Sequence, residues 1–226
     1  MGALPATNGA GICVYTSFMH MRPHIVLPGL MALCLSPVVA AEPGMAGGAQ
    51  SMTIIGGDDT ARNCFAAASV AARRDHSDPG EVAGCTRALE HSRLSDRDRM
   101  ATFVNRGILY LALRELERAE ADFNAAIDLD PASGEVFVDR GNIAFIRRFY
   151  DRAISDYTRA LELGLEMDHI AYFNRAMAQE HLRNFEDAKS DYRRAMELEP
   201  KWYKPRIRLD SLMQASAAQP AAAAER

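Results

Sequence analysis

Asn105-Arg106-Gly107 returns 34 residues later as Asp139-Arg140-Gly141 and 35 residues after that as Asn174-Arg175-Ala176. The same offsets carry Ala119-Glu120-Ala121-Asp122-Phe123 into Ala153-Ile154-Ser155-Asp156-Tyr157 and then into Ala188-Lys189-Ser190-Asp191-Tyr192, with Ala126, Ala160 and Ala195 three residues beyond each aromatic. Leu129-Asp130-Pro131 closes the first unit and Leu198-Glu199-Pro200 the third. The second ends in Leu163-Gly164-Leu165, with one extra residue before the next unit begins. A fixed period of this length marks a supersecondary unit that stacks on copies of itself. Small residues at fixed places let two helices approach to about 8–10 Å, and one aromatic per unit fills the space left between them. The pattern therefore predicts an all-α chain of helical hairpins. A bulky side chain at Ala126 is expected to cost about 1–3 kcal/mol by overpacking. Ser95 is placed to cap a helix beginning at Asp96, and Ser133 one beginning near Gly134. Pro131 and Pro200 mark helix ends.

These positions resemble the tetratricopeptide repeat family. Its units carry a small residue at the eighth place, alanine at the twentieth, an aromatic at the twenty-fourth, alanine at the twenty-seventh and often proline at the thirty-second. Gly107, Ala119, Phe123, Ala126 and Pro131 fill the first unit; Gly141, Ala153, Tyr157 and Ala160 the second; Ala176, Ala188, Tyr192, Ala195 and Pro200 the third. The resemblance implies an α-solenoid of antiparallel helix pairs, of an exported bacterial type, spanning residues 60–213 with core repeats at 100–133, 134–168 and 169–202. Cys85-Thr86-Arg87-Ala88-Leu89 imitates Tyr157-Thr158-Arg159-Ala160-Leu161, so residues 60–93 read as a degenerate first unit. Trp202, Tyr203, Ile207, Leu209 and Leu212 supply a capping helix of about residues 201–213, with Pro205 in its first turn. One unit cannot bury both its faces, so neighbours and caps are required.

The first helix of each unit lines the inner face in this family, and that face commonly binds peptides. By position, Asn105, Asp139 and Asn174 form a polar row, similar to an asparagine ladder that holds a peptide main chain, with Asp139 breaking it. Ile108, Asn142 and Met177, together with Val104, Val138, Phe145 and Phe173, furnish the surrounding surface. The row either binds a main chain or solvates the inner face. The lysine and asparagine set that clamps chaperone tails is missing, since Val104 and Ile108 stand where polar groups would be needed. Arg106, Arg140 and Arg175 each precede an aspartate by sixteen residues, Asp122, Asp156 and Asp191. Both an ion-pair ladder and anion recognition by stacked arginines are open to them.

The ends read differently. Residues 1–41 form a leader whose start is expected at Met19 or Met21. Arg22 precedes an apolar run from Ile25 to Leu35 that is short for a membrane span, and small residues at Ala40 and Ala41 suit a signal peptidase. A retained anchor or a lipoprotein centred on Cys34 are the weaker readings. Residues 42–59 read as a flexible linker and 214–226 as a disordered, alanine-rich tail. Loss of Cys13 and Cys34 with the leader leaves an even pair, Cys64 and Cys85. On antiparallel helices of about 60–75 and 79–91 they either form a bridge in an oxidising compartment or remain two buried thiols. The absence of close C-x-x-C spacing disfavours a redox enzyme.

At 226 residues and 48% apolar composition the chain can bury a core, and a net charge of -4 provides no basic field for nucleic acid. No metal site, cofactor or catalytic set is expected. His169 and His181 lack matching ligands, and Gly56-Gly57-Asp58-Asp59 lacks the lysine of a nucleotide loop. The reading is a non-enzymatic adaptor or scaffold of the cell envelope, periplasmic or secreted, binding a protein or peptide without stable membrane insertion. A self-associating structural protein is the alternative, and an enzyme with an unrecognised site the second.

Overall fold

The computed structural model describes residues 51–53, 59–74 and 76–217, with side chains through Gln214. All belong to the compact unit Pro43–Arg226. The expected leader and its cleavage site, and the tail beyond Ala217, lie outside the described residues. So does most of the expected linker.

The described residues form helices α1 (Asp59–Arg74), α2 (Pro79–His91), α3 (Asp96–Ala112), α4 (Leu116–Leu129), α5 (Gly134–Ile146), α6 (Tyr150–Leu163), α7 (Asp168–His181), α8 (Phe185–Leu198) and α9 (Lys204–Ala217), with no strand among them. The second helix of each core repeat buries one stripe at i, i+3, i+4 and i+7: Ala119, Asp122, Phe123 and Ala126 on α4, Ala153, Asp156, Tyr157 and Ala160 on α6, Ala188, Asp191, Tyr192 and Ala195 on α8. These are the recurring sequence positions. Their repetition follows from every such helix meeting the same surroundings.

Close approach is most demanding at two glycines. A Cβ on Gly107 would lie 2.6 Å from Phe123 Cε1, and one on Gly141 would lie 2.7 Å from Tyr157 Cε1. In the third unit Ala176, fully buried, takes that place beside Tyr192.

Each core hairpin turns in the same way. Arg114, Arg148 and Arg183 adopt φ near +63°, between 62° and 64°. Glu115 N–H then donates to Tyr110 C=O, Phe149 N–H to Ala144 C=O and Asn184 N–H to Gln179 C=O, closing the first helix in a Schellman motif. The three arginines recur at the repeat offsets, in a backbone conformation glycine usually supplies. Between the second and third units Gly164 takes φ +82°, and the extra residue is absorbed by Leu165, whose N–H donates to Asp168 Oδ1 at 3.0 Å.

The expected caps divide. Ser95 accepts from Asp98 N–H, whereas Ser133 occupies the N-cap of α5 without a side-chain bond to its backbone, because its hydroxyl faces Glu135. On α2, Asp78 and Glu81 complete a capping box that the sequence reading did not single out. α9 starts after Tyr203 and extends four residues past the expected end, with Pro205, Leu209 and Leu212 buried against the third unit.

Sequential helices pack against one another, and the odd-numbered ones also touch along one side, α1 with α3, α3 with α5 and α5 with α7. The even-numbered helices make no comparable contact with each other, so the odd set lies on the inner side of the stack.

Candidate functional site

The polar row sits on that inner side, one residue on each of α3, α5 and α7. Asn105 (0% exposed) lies on α3, Asp139 (1%) on α5 and Asn174 (0%) on α7, with Asn142 (2%) one turn beyond Asp139. Ile108 and Met177 are buried as well, within the apolar clusters around Phe123 and Tyr192 respectively. All six expected binding residues are thus interior.

Burial forces the amides to find partners. Asn105 finds them in a main chain: its Oδ1 accepts from Met52 N–H at 2.9 Å and its Nδ2 donates to Met52 C=O at 2.8 Å. Ser51 Oγ meets Ser69 Oγ of α1 at 2.8 Å, and the Met52 side chain packs against the cluster that includes Cys64, Val104 and Ile108. Asn142 Oδ1 accepts from Tyr157 Oη at 2.9 Å and from Asn174 Nδ2 at 3.1 Å, tying α5 to α6 and α7. Asn174 Oδ1, fully buried, has no hydrogen-bond partner.

The arginines resolve into a ladder. In each unit the guanidinium makes a two-pronged bond to the aspartate sixteen residues on: Arg106 to Asp122, Arg140 to Asp156 and Arg175 to Asp191, at 2.7–3.0 Å. The remaining nitrogen reaches the preceding unit, donating to Thr86 Oγ1 on α2, Asn124 Oδ1 on α4 or Thr158 Oγ1 on α6. An aromatic three residues earlier lies under each guanidinium, Phe103, Phe137 and Tyr172, at 5.2–5.7 Å. The Asp156 and Asp191 bonds hold Arg140 and Arg175 above the usual arginine value, with burial opposing. Every nitrogen is engaged, so of the two roles open to these residues the structure supports packing between repeats. The outer contacts were missed in the sequence, although Thr86, Asn124 and Thr158 are equivalent positions of successive units.

Cys64 on α1 and Cys85 on α2 stand as a disulfide with Cα atoms 4.9 Å apart, both buried. His181 stacks on Tyr150, with ring centroids 4.5 Å apart, and His169 meets Trp202 edge-on. Among the described residues no group of three His, Cys, Asp or Glu could hold a metal ion, and no helix is long and apolar enough to cross a membrane.

Family models described as tetratricopeptide repeat match residues 101–133 and 169–202. Each of these two segments is similar to a tetratricopeptide repeat. Among characterised proteins, the heat shock protein STI1 of Saccharomyces cerevisiae is 32% identical over 77 residues, 34% of this chain. The match spans only 13% of the yeast protein's length. Among solved structures, the first such domain of Spaghetti (RPAP3), bound to an HSP90 peptide, matches with a TM-score of 0.50 at 27% identity, covering 52% of this chain and 93% of that one. A MamA double mutant from RS-1 matches with a TM-score of 0.58 at 17% identity, covering 70% of this chain and 86% of the other. At that identity the likeness is one of fold alone.

Proposed function

We propose that this chain is a non-enzymatic adaptor that holds an extended peptide or protein segment along the inner face of α3, α5 and α7, and that it works after export, in an oxidising part of the cell envelope. The observation that carries the reading is the two-sided grip of Asn105 on the main chain of Met52. A side-chain amide presents a donor and an acceptor together, so it matches a peptide unit without reading the side chain attached to it. Asn174 repeats that residue type at the equivalent place, fully buried, with its Nδ2 committed to Asn142 Oδ1 and its Oδ1 unpartnered.

The HSP90 peptide bound to the RPAP3 domain supports a peptide as the class of partner. The partner differs from an acidic chaperone tail, because Val104 and Ile108 fill with apolar side chains the places where such a tail needs cationic and amide groups, and both are in the core. Export is supported by the leader-like sequence before residue 42 and by the pairing of Cys64 with Cys85. The net charge of -4 weighs against nucleic acid as the ligand.

Selection of binders from a random peptide library on the intact chain, followed by titration of the best binder against Asn105→Ala and Asn174→Ala, tests the reading. Each variant is expected to weaken binding about tenfold, the loss of one or two buried hydrogen bonds. Equal affinity for wild type and both variants, or no binder at all, would remove the inner face as the site.

A further inference from the structure

Ser51 and Met52 lie against two helices, Met52 through its main chain and side chain and Ser51 through its hydroxyl. Asn105 of α3 takes both hydrogen-bonding groups of Met52, Ser69 of α1 takes the Ser51 hydroxyl, and the Met52 side chain enters the apolar surface between them. Nothing in this arrangement depends on the segment being covalently joined to the domain. Two side chains matter: a small hydroxyl that meets Ser69 Oγ, and an apolar group long enough to reach the cluster of Ala61, Ala88 and Ala101.

We infer that Ser51–Thr53 is a built-in ligand: it occupies the Asn105 rung of the inner face in cis, and the partner of that rung is another extended segment with a small polar residue followed by a long apolar one. The inference rests on the peptide-binding reading proposed above and adds to it both the chemistry of the ligand and a means of control. A partner binds here only from the fraction of molecules in which residues 51–53 have left, so its apparent affinity is reduced by that fraction. The segment is well suited to leaving. Thr53 is exposed, Ser51 and Met52 are only partly buried, and Met52 is held by two main-chain hydrogen bonds and one side chain.

The test uses the intact chain and a fluorescent synthetic peptide with the sequence of residues 48–56 as the probe, added in trans. Met52→Pro removes the N–H that Asn105 accepts, and Met52→Asp places a charge at the apolar contact. Both substitutions fall outside the helices, and unchanged helical circular dichroism establishes that the domain is intact. The expected result is at least tenfold tighter probe binding to either variant than to wild type, lost again when Asn105→Ala is added. Probe binding no tighter in the variants than in wild type overturns the inference. As an independent measure on the unaltered chain, the Met52 amide is expected to exchange hydrogen at least tenfold more slowly than a free peptide and to lose that protection in Asn105→Ala. An amide exchanging at the free rate in wild type also overturns it. Library-selected peptides that bind wild type and Met52→Pro equally would leave the adaptor reading standing and remove only the cis ligand.

Discussion

Substituting Gly141 by alanine sets two effects of opposite sign against each other. Gly141 lies inside α5, where alanine is favoured over glycine by about 1 kcal/mol on helix propensity alone. Against this, the new methyl would stand 2.7 Å from Tyr157 Cε1, which is 0.7 Å inside the 3.4 Å at which ordinary contact begins. The ring cannot simply swing away. It is fully buried, and its hydroxyl is anchored to Asn142 Oδ1 at 2.9 Å, an atom that also accepts from Asn174. Moving it strains that bond and the α5–α7 contact together. Overpacking of this kind costs about 2 kcal/mol, leaving a net loss of about 1 kcal/mol. The third unit shows what makes alanine acceptable: beside Ala176, Tyr192 donates instead to Glu180, and Met177 replaces the asparagine that anchors Tyr157. Urea unfolding followed by circular dichroism at 222 nm should therefore place Gly141→Ala below wild type. A Gly141→Ala protein more stable than wild type would refute the packing argument, because propensity alone predicts that sign.

Three further outcomes are expected. Changing Cys64 and Cys85 together to serine should cost about 3 kcal/mol, given the separation of 21 residues between them; thermal melts with and without dithiothreitol measure it, and identical wild-type midpoints would contradict a bridge. Asp156→Ala leaves the partly buried Arg140 without its main partner and should cost about 2–3 kcal/mol, read from the denaturant midpoint, whereas Asp151→Ala, on the exposed side of the same helix, should be close to neutral. Burial, then the charge of Asp156, raises the Tyr157 phenol well above its ordinary value of 10.0, and burial raises Tyr192 in the same direction. A proton held more tightly by the folded chain contributes stability that is intact below about pH 10 and lost as pH climbs through the folded value, so stability should fall above about pH 10 by up to about 1.4 kcal/mol per pH unit for each phenol. Tyr157→Phe should lose about 1 kcal/mol at neutral pH with the Asn142 bond and show a shallower alkaline slope; a slope equal to wild type would contradict the assignment.

What the sequence by itself determined is whatever the repeat imposes. Ala119, Ala153 and Ala188, the aromatics Phe123, Tyr157 and Tyr192, and the arginine and aspartate pairs sixteen residues apart recur because each hairpin meets the same neighbours, so one local rule is written three times. The N-terminal pair was legible in the same way, through the likeness of Cys85-Thr86-Arg87 to Tyr157-Thr158-Arg159. Tertiary structure alone decided what is written once. The contact of Met52 with Asn105, 53 positions apart, leaves no periodic trace, and a segment bonded through its main chain imposes little on side-chain identity. Nor does the position of Asn105, Asp139 and Asn174 in their units say whether the row meets water or protein. That depends on what lies across the inner face, a contact between distant parts of the chain that no single repeat encodes.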